Sequence, residues 1–188
     1  MNLKLLSIIF TVAFISCNSN NNDNNQTDNN MTSSKKDSSI YSRTDTNKVN
    51  PDNEALKKIL PSEVYHVARE KGTERPWTSA FENSKEIGTY YCAVCGNALF
   101  KSDTKFESGC GWPSFYEPIS KGSIIYLPDN SHGMQRTEVE CGRCKSHLGH
   151  VFEDGPPPTG LRYCINGVVL DFEKAQAIEK DYEKKKEQ

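Results

Sequence analysis

Residues 141–166 read CGRCKSHLGHVFEDGPPPTGLRYCIN. The stretch opens on a C-x-x-C pair, Cys141 and Cys144, and sets His147 and His150 on one short segment. It passes through an acidic turn and a proline run at 153–158, then closes on Arg162, Tyr163, Cys164, Ile165 and Asn166. Short β-like runs alternate here with Gly, Pro and Asp punctuation, and no long amphipathic helix separates them. That pattern argues against a parallel crossover sheet and for an antiparallel one.

A second pair, Cys92 and Cys95, stands upstream and is followed by Gly96. Two tight C-x-x-C knuckles supply the four thiolates that a tetrahedral zinc ion takes at about 2.3 Å each. Glycine beside the cysteines lets backbone N–H groups face the sulfurs. Four thiolates leave no open position, so the expected role of the metal is structural: it would pin two distant hairpins of one sheet. The alternative is a pair of disulfides or free thiols, which an oxidising compartment favours.

Around these motifs the pattern predicts a mainly β domain over 51–188, an antiparallel β-sandwich or open barrel with short N-terminal helices. Helical spacing covers 54–60, and Ser62 is placed to cap a second helix ending at Lys71-Gly72. Strand-like runs are expected at 89–92, 98–100, 123–127, 134–141, 151–152, 162–165 and 168–172. Residues 174–185 read as a charged helical tail. Between helices and strands, 73–81 is a loop whose Pro76 and Trp77 suit core or rim packing. Over 188 residues the net charge is −2, which excludes a strongly basic footprint for nucleic acid. No interface signature is present, so a monomer is expected.

The hydrophobic fraction of 35% is low for a chain that packs throughout. The N-terminal part accounts for this. Lys4 precedes an apolar run over 5–15, too short to cross a bilayer as a helix. Phe14, Ile15 and Ser16 then lead to Cys17, which resembles the lipobox of bacterial lipoproteins, with Phe14 where Leu is usual. Residues 1–16 are thus expected to be a signal peptide and Cys17 a lipid-bearing cysteine; the alternative is an ordinary secretory signal with an incidental cysteine. Either reading exports the chain, and the first anchors it to a bacterial membrane on the periplasmic side or cell surface. The Asn- and Ser-rich segment 17–50 cannot bury enough surface to offset its ordering entropy and reads as a disordered tether.

Of seven cysteines, Cys110 and Cys164 remain. Cys110 lies between Gly109 and Gly111, which leave it accessible. Cys164 follows Arg162 by two residues, on the same face of a strand, and a cation there favours the reactive thiolate. A static Cys110–Cys164 disulfide is the alternative. His147 and His150 are close enough in sequence to face one pocket from a turn. With four cysteines available to a metal, proton handling or substrate orientation is left for them. Trp112 is either structural or an apolar wall beside a thiol.

The strings SGCGWPSF, CGRCKSHLGHVFEDGP and LRYCIN together resemble methionine-R-sulfoxide reductase of the B type, over about 61–172. The resemblance implies that oxidised proteins or peptides are the substrate and that the R epimer is preferred, one enzyme serving each epimer. It implies Cys164 as nucleophile, Cys110 as resolving thiol, and Cys92, Cys95, Cys141 and Cys144 as zinc ligands. His147, His150, Asp154, Arg162 and Asn166 match the polar pocket and Trp112 its apolar wall. A thioredoxin-like dithiol is implied as reductant. Many members read RYCINS; here Gly167 stands in place of the serine. A non-catalytic zinc module would need neither extra thiol, and a generic thiol oxidoreductase places both redox cysteines in one C-x-x-C at a helix start.

Overall fold

The computed structural model describes residues 40–175. The signal-like segment, Cys17, the tether up to residue 39 and the tail past 175 lie outside the described residues. Among the described residues no helix is long and apolar enough to cross a membrane.

Two short helices come first. Helix α1, Asn53–Ile59, begins where Asp52 accepts from the backbone N–H groups of Glu54 and Ala55, with Glu54 in its first turn and Lys57 and Lys58 in its last. Both ends therefore complement the helix dipole. Helix α2, Ser62–Glu70, differs from expectation at its start: Pro61 is the cap and makes no side-chain hydrogen bond, so Ser62 is already the first helical residue. Proline needs no N–H there and its fixed φ suits the entry. Lys71 ends the helix in the left-handed conformation. Leu56, Val67 and Ala68 turn inward to the core.

The rest is antiparallel β structure. Strands β1 (Gly88–Cys92), β2 (Ala98–Lys101), β3 (Lys105–Phe106), β4 (Ser114–Phe115), β5 (Ile124–Asp129), β6 (Arg136–Cys141), β7 (His147–Phe152), β8 (Arg162–Ile165) and β9 (Leu170–Lys174) follow in chain order. They form a three-stranded sheet, β2-β1-β9, and a six-stranded sheet, β3-β4-β8-β7-β6-β5. Aromatic rings join the two sheets. Phe100 of the smaller sheet stacks on Phe115 of the larger at 4.4 Å between centroids, and Tyr90 meets Phe115 edge-on at 5.0 Å. All three are fully buried. Truncating Phe115 to Ala would remove both ring contacts and cost about 3–5 kcal/mol.

Three local expectations change. The histidines stand on β7, which starts at His147, and not on a turn. Residues 167–169 form a 3-10 turn before β9, where a continuous strand was expected. The two knuckles belong to different sheets: Cys92 ends β1, and Cys141 ends β6. The fourfold thiol cluster thus ties sheet to sheet.

Residues 40–50, expected to belong to the tether, lie on the domain. Ser42 donates its backbone N–H to Cys95 O at 2.9 Å, and Val49 does the same to Arg143 O at 2.9 Å. The Arg143 guanidinium, 4% exposed, donates to the carbonyls of Ile40 and Asn47 and pairs with Asp45. Arg43 pairs with Asp171 and Glu173 on β9. Backbone carbonyls gathered by one buried arginine supply the order that apolar residues would otherwise provide.

Candidate active site and metal centre

The strand register builds the first site. On β8, Arg162 and Cys164 alternate with the buried Tyr163 and Ile165. Cys164 is paired with His150 on β7 and with Ser114 on β4, and Arg162 with Phe152. The loop before β4 then brings Cys110 back, so that its sulfur lies 3.4 Å from the Cys164 sulfur. Ser108 Oγ donates to Cys110 Sγ at 3.0 Å, and Ser114 Oγ lies 3.4 Å from it.

Two thiols in contact titrate as a pair. The first proton leaves far below the ordinary thiol range. At Cys110 the pKa falls to about 4, because Cys164, and then Ser108 and Ser114, hydrogen-bond its sulfur. The second is pushed up at Cys164 by the hydrogen bond to Cys110, by burial and by the neighbouring negative charge, with Arg162 pulling the other way.

A cleft of about 120 Å³ lies over Cys164, walled by Trp112 and Phe152 and edged by Thr73, Arg136, His150 and Asn166. Trp112 is fixed by its indole N–H, which donates to Glu74 O at 3.2 Å. His150 Nε2 lies 2.7 Å from Asp129 Oδ2, and Arg136 donates to the same oxygen at 2.6 Å. The Asp129 carboxyl is held well below its usual range by Ser131 and, after it, His150 and Arg136.

His147 sits behind the cleft, 3% exposed, with Nδ1 2.7 Å from Glu138 Oε1, and Lys71 donates to Glu138 Oε2 at 2.7 Å. Burial pushes the His147 pKa down against the pull of Glu138, which keeps the ring neutral. Burial works against the Glu138 carboxylate, but Lys71 and His147 outweigh it and lower its pKa. The two rings lie 5.5 Å apart, opposite a register irregularity between Val139 and Glu140. Such an irregularity re-aims side chains that plain alternation would put on opposite faces.

The second site is the thiol cluster. The four sulfurs of Cys92, Cys95, Cys141 and Cys144 lie within 4.8 Å of one another, and all four residues are buried. Cys92 Sγ is 3.7 Å from Cys144 Sγ, and Cys95 Sγ is 3.6 Å from Cys141 Sγ. A tetrahedron with ~2.3 Å bonds needs sulfurs about 3.8 Å apart, and none of these pairs is a disulfide. Gly96 and Lys145, each following the second cysteine of its knuckle, share the left-handed conformation, with φ of 78° and 58°. Two like turns thus point four thiols inward, a donor set that fits a thiolate-preferring metal ion.

The profile of the SelR domain matches residues 60–174. The chain belongs to the SelR domain family. It is similar to the peptide methionine sulfoxide reductase MsrB of Pseudomonas putida (strain W619), 60% identical over 119 residues, which are 63% of this chain and 90% of that protein. The protein of the same name from Methanosarcina mazei is 57% identical over 137 residues, 73% of this chain and 98% of its own. That of Leptospira interrogans is 56% identical over 126 residues, 67% and 96% of the two chains.

Within this SelR domain the structure brings Cys110, Trp112, His150 and Asn166 around Cys164. Other candidates stand further back. Asp154 is exposed and grips Arg162 with both oxygens, at 2.8 and 2.9 Å, and so fixes the guanidinium that faces the thiols. The Asn166 amide is engaged by Leu148 O and by Glu74 N, so it braces the wall of the cleft. His147 contacts Glu138 and has no place in the cleft lining. Cys17 lies outside the described residues. Sequence reading missed Thr73, Asp129, Arg136, Glu138 and Phe152. The alternating acids of β6, Glu138 and Glu140, both buried, were the available signal: a charged strand residue needs a partner.

Proposed function

We propose that the chain reduces methionine R-sulfoxide in peptides and proteins. The observation that carries this reading is the 3.4 Å contact between Cys110 and Cys164 at the floor of a cleft sized for one side chain, in a SelR domain. The sulfur of a sulfoxide is electrophilic and its oxygen basic. Cys164 passes its proton to the Cys110 thiolate 3.4 Å away and, with Arg162 facing its developing charge, attacks that sulfur while the oxygen takes a proton. His150, held by Asp129 at the cleft edge, is placed to deliver the proton; His147 is too deeply buried. Trp112 and Phe152 give the methyl group an apolar wall. The S–O bond breaks, methionine leaves, and Cys164 carries the oxygen as a sulfenic acid. Cys110 then attacks Cys164 Sγ, water departs, and a disulfide forms. A protein dithiol of the thioredoxin kind restores both thiols.

The fitting metal for four thiolates is zinc, which supplies a structural cross-link without catalytic chemistry. Cys92, Cys95, Cys141 and Cys144 would hold it. We read the N-terminus as a lipoprotein signal that anchors the mature chain at Cys17 outside the cytoplasmic membrane; mass spectrometry of the native protein showing an unmodified Cys17 would contradict this. The activity itself is tested with purified protein, dithiothreitol and a peptide carrying resolved sulfoxide epimers. Loss of the R epimer alone is expected, and consumption of neither epimer would refute the reading.

A further inference from the structure

The two thiols of the pair open onto different surfaces. Cys164 lines the cleft with Trp112 and His150, and Cys110 does not. Cys110 instead lines a second hollow of about 440 Å³ with Glu107, Gly109, Asp154, Pro156 and Arg162, from which Cys164 is absent. The wall between the two is the stack of Arg162 on Phe152, guanidinium carbon 4.4 Å from the ring centre. Phe152 faces the cleft and Arg162 the hollow.

The glycines beside Cys110 show which side is open. A β-carbon at Gly111 would lie 2.7 Å from Pro76 Cβ and 3.1 Å from the Trp77 ring, so that side of the loop is packed. A β-carbon at Gly109 would meet nothing within 4 Å. Cys110 is therefore approached past Gly109.

We propose that this second hollow is the docking surface for a protein dithiol, which attacks the Cys110 sulfur of the Cys110–Cys164 disulfide and never enters the methionine cleft. The inference rests on the reaction proposed above. Thiol–disulfide exchange depends on access to the attacked sulfur and on the stability of the leaving thiolate. Access decides between the two sulfurs here. The 120 Å³ cleft admits one side chain, whereas a cysteine carried on a protein surface needs the wider approach. The leaving sulfur is then Cys164, whose charge faces Arg162 although burial and Cys110 oppose it.

The electrons balance in two steps. The reductant's first thiolate bonds to Cys110 Sγ, the Cys110–Cys164 bond breaks, and its electron pair stays on Cys164. The reductant's second thiol loses its proton and attacks the first; Cys110 leaves as a thiolate facing the Ser108 and Ser114 hydroxyls, and the reductant departs as a disulfide.

The test uses the full chain. Enzyme is first oxidised with one equivalent of methionine R-sulfoxide, with methionine and disulfide both quantified. It is then mixed with a bacterial thioredoxin whose second active-site cysteine is serine, and the adduct is mapped by peptide mass spectrometry. Attachment at Cys110 is expected; attachment at Cys164, or none, would overturn the proposal. Glu107→Trp, which narrows the hollow, should lower thioredoxin-supported turnover about tenfold or more relative to the single-turnover methionine burst. Equal loss of both would also count against it. Failure to release methionine or form the disulfide at the outset would instead refute the underlying reaction, and this inference with it.

Discussion

The knuckle thiols and the Cys110–Cys164 pair are the same functional group put to opposite uses. Cys92, Cys95 and Cys141 are 0% exposed and Cys144 1%, in turns whose backbone closes around them. Cys110 and Cys164 are half-buried, one on a glycine-flanked loop and one mid-strand, with a guanidinium and two hydroxyls nearby. The difference teaches that a thiol's work is decided by what can reach its sulfur and what charge faces it, and much less by local sequence.

The largest expected difference is in the fold. A structural zinc ion contributes on the order of 10 kcal/mol to folding in small domains. Here the four thiols also join two sheets, so Cys141→Ser should abolish cooperative unfolding, followed by circular dichroism. Cys110→Ser should keep it. Full activity from protein that metal analysis shows to be zinc-free would erase the distinction between the sites.

Within the pair, the two thiols should divide one reaction unequally. Cys164→Ser should release no methionine in a single turnover. Cys110→Ser should release about one per enzyme and stop at the sulfenic acid, with thioredoxin-linked turnover strongly reduced and some dithiothreitol activity left. A stoichiometric burst from Cys164→Ser would reverse the assignment.

A smaller effect concerns pH. With Cys110 lowered to about 4, its charged form persists well below neutrality, so iodoacetamide should still label it near pH 5, whereas ordinary thiols of pKa about 8.5 are inert there. In Cys110→Ser the hydrogen bond and charge that push Cys164 up are gone, so labelling of Cys164 should begin at lower pH than in the parent. Labelling of Cys164 with an unchanged pH profile would show that the two sulfurs do not share a proton.

How much of this was legible in the residues follows from the range of the interactions. The cysteines could be read because few chemistries use paired C-x-x-C, and helix α1 and the strands β1, β2 and β8 because their spacing is local. The assignment of the knuckles to one sheet failed because β1 pairs with β9, a partner far along the chain. A shared pocket for His147 and His150 suggests a turn, since residues three apart on a plain strand face opposite ways; β7 runs through both, opposite a register irregularity that spacing cannot show. Asp129 and Glu138 belong to no motif; only the register that sets Asp129 against Arg136, Glu138 against His150, and His150 against Cys164 reveals them. The contacts of residues 40–50 are not legible because their partners are mainly backbone groups, which leave no mark on composition.

That segment carries the smallest expected effect. Residues 40–50 precede the stretch matched by the SelR profile and lie across both knuckles, through Cys95 O on one and Arg143 on the other. The thiol cluster is thus covered by a segment that its own motifs do not require. Ser42→Pro and Val49→Pro each remove one backbone donor of these contacts while the four ligands stay in place. A hydrogen bond of this kind is worth about 0.5–1.5 kcal/mol, so the double variant should lose roughly 1–3 kcal/mol in a denaturant titration. If the segment shields the sulfurs, a colorimetric chelator should also take up the metal several-fold faster than from the parent chain. Lowered stability with an unchanged release rate would mean that 40–50 only brace the two sheets and that burial in the knuckles alone keeps the four thiols apart from the chemistry of the other two.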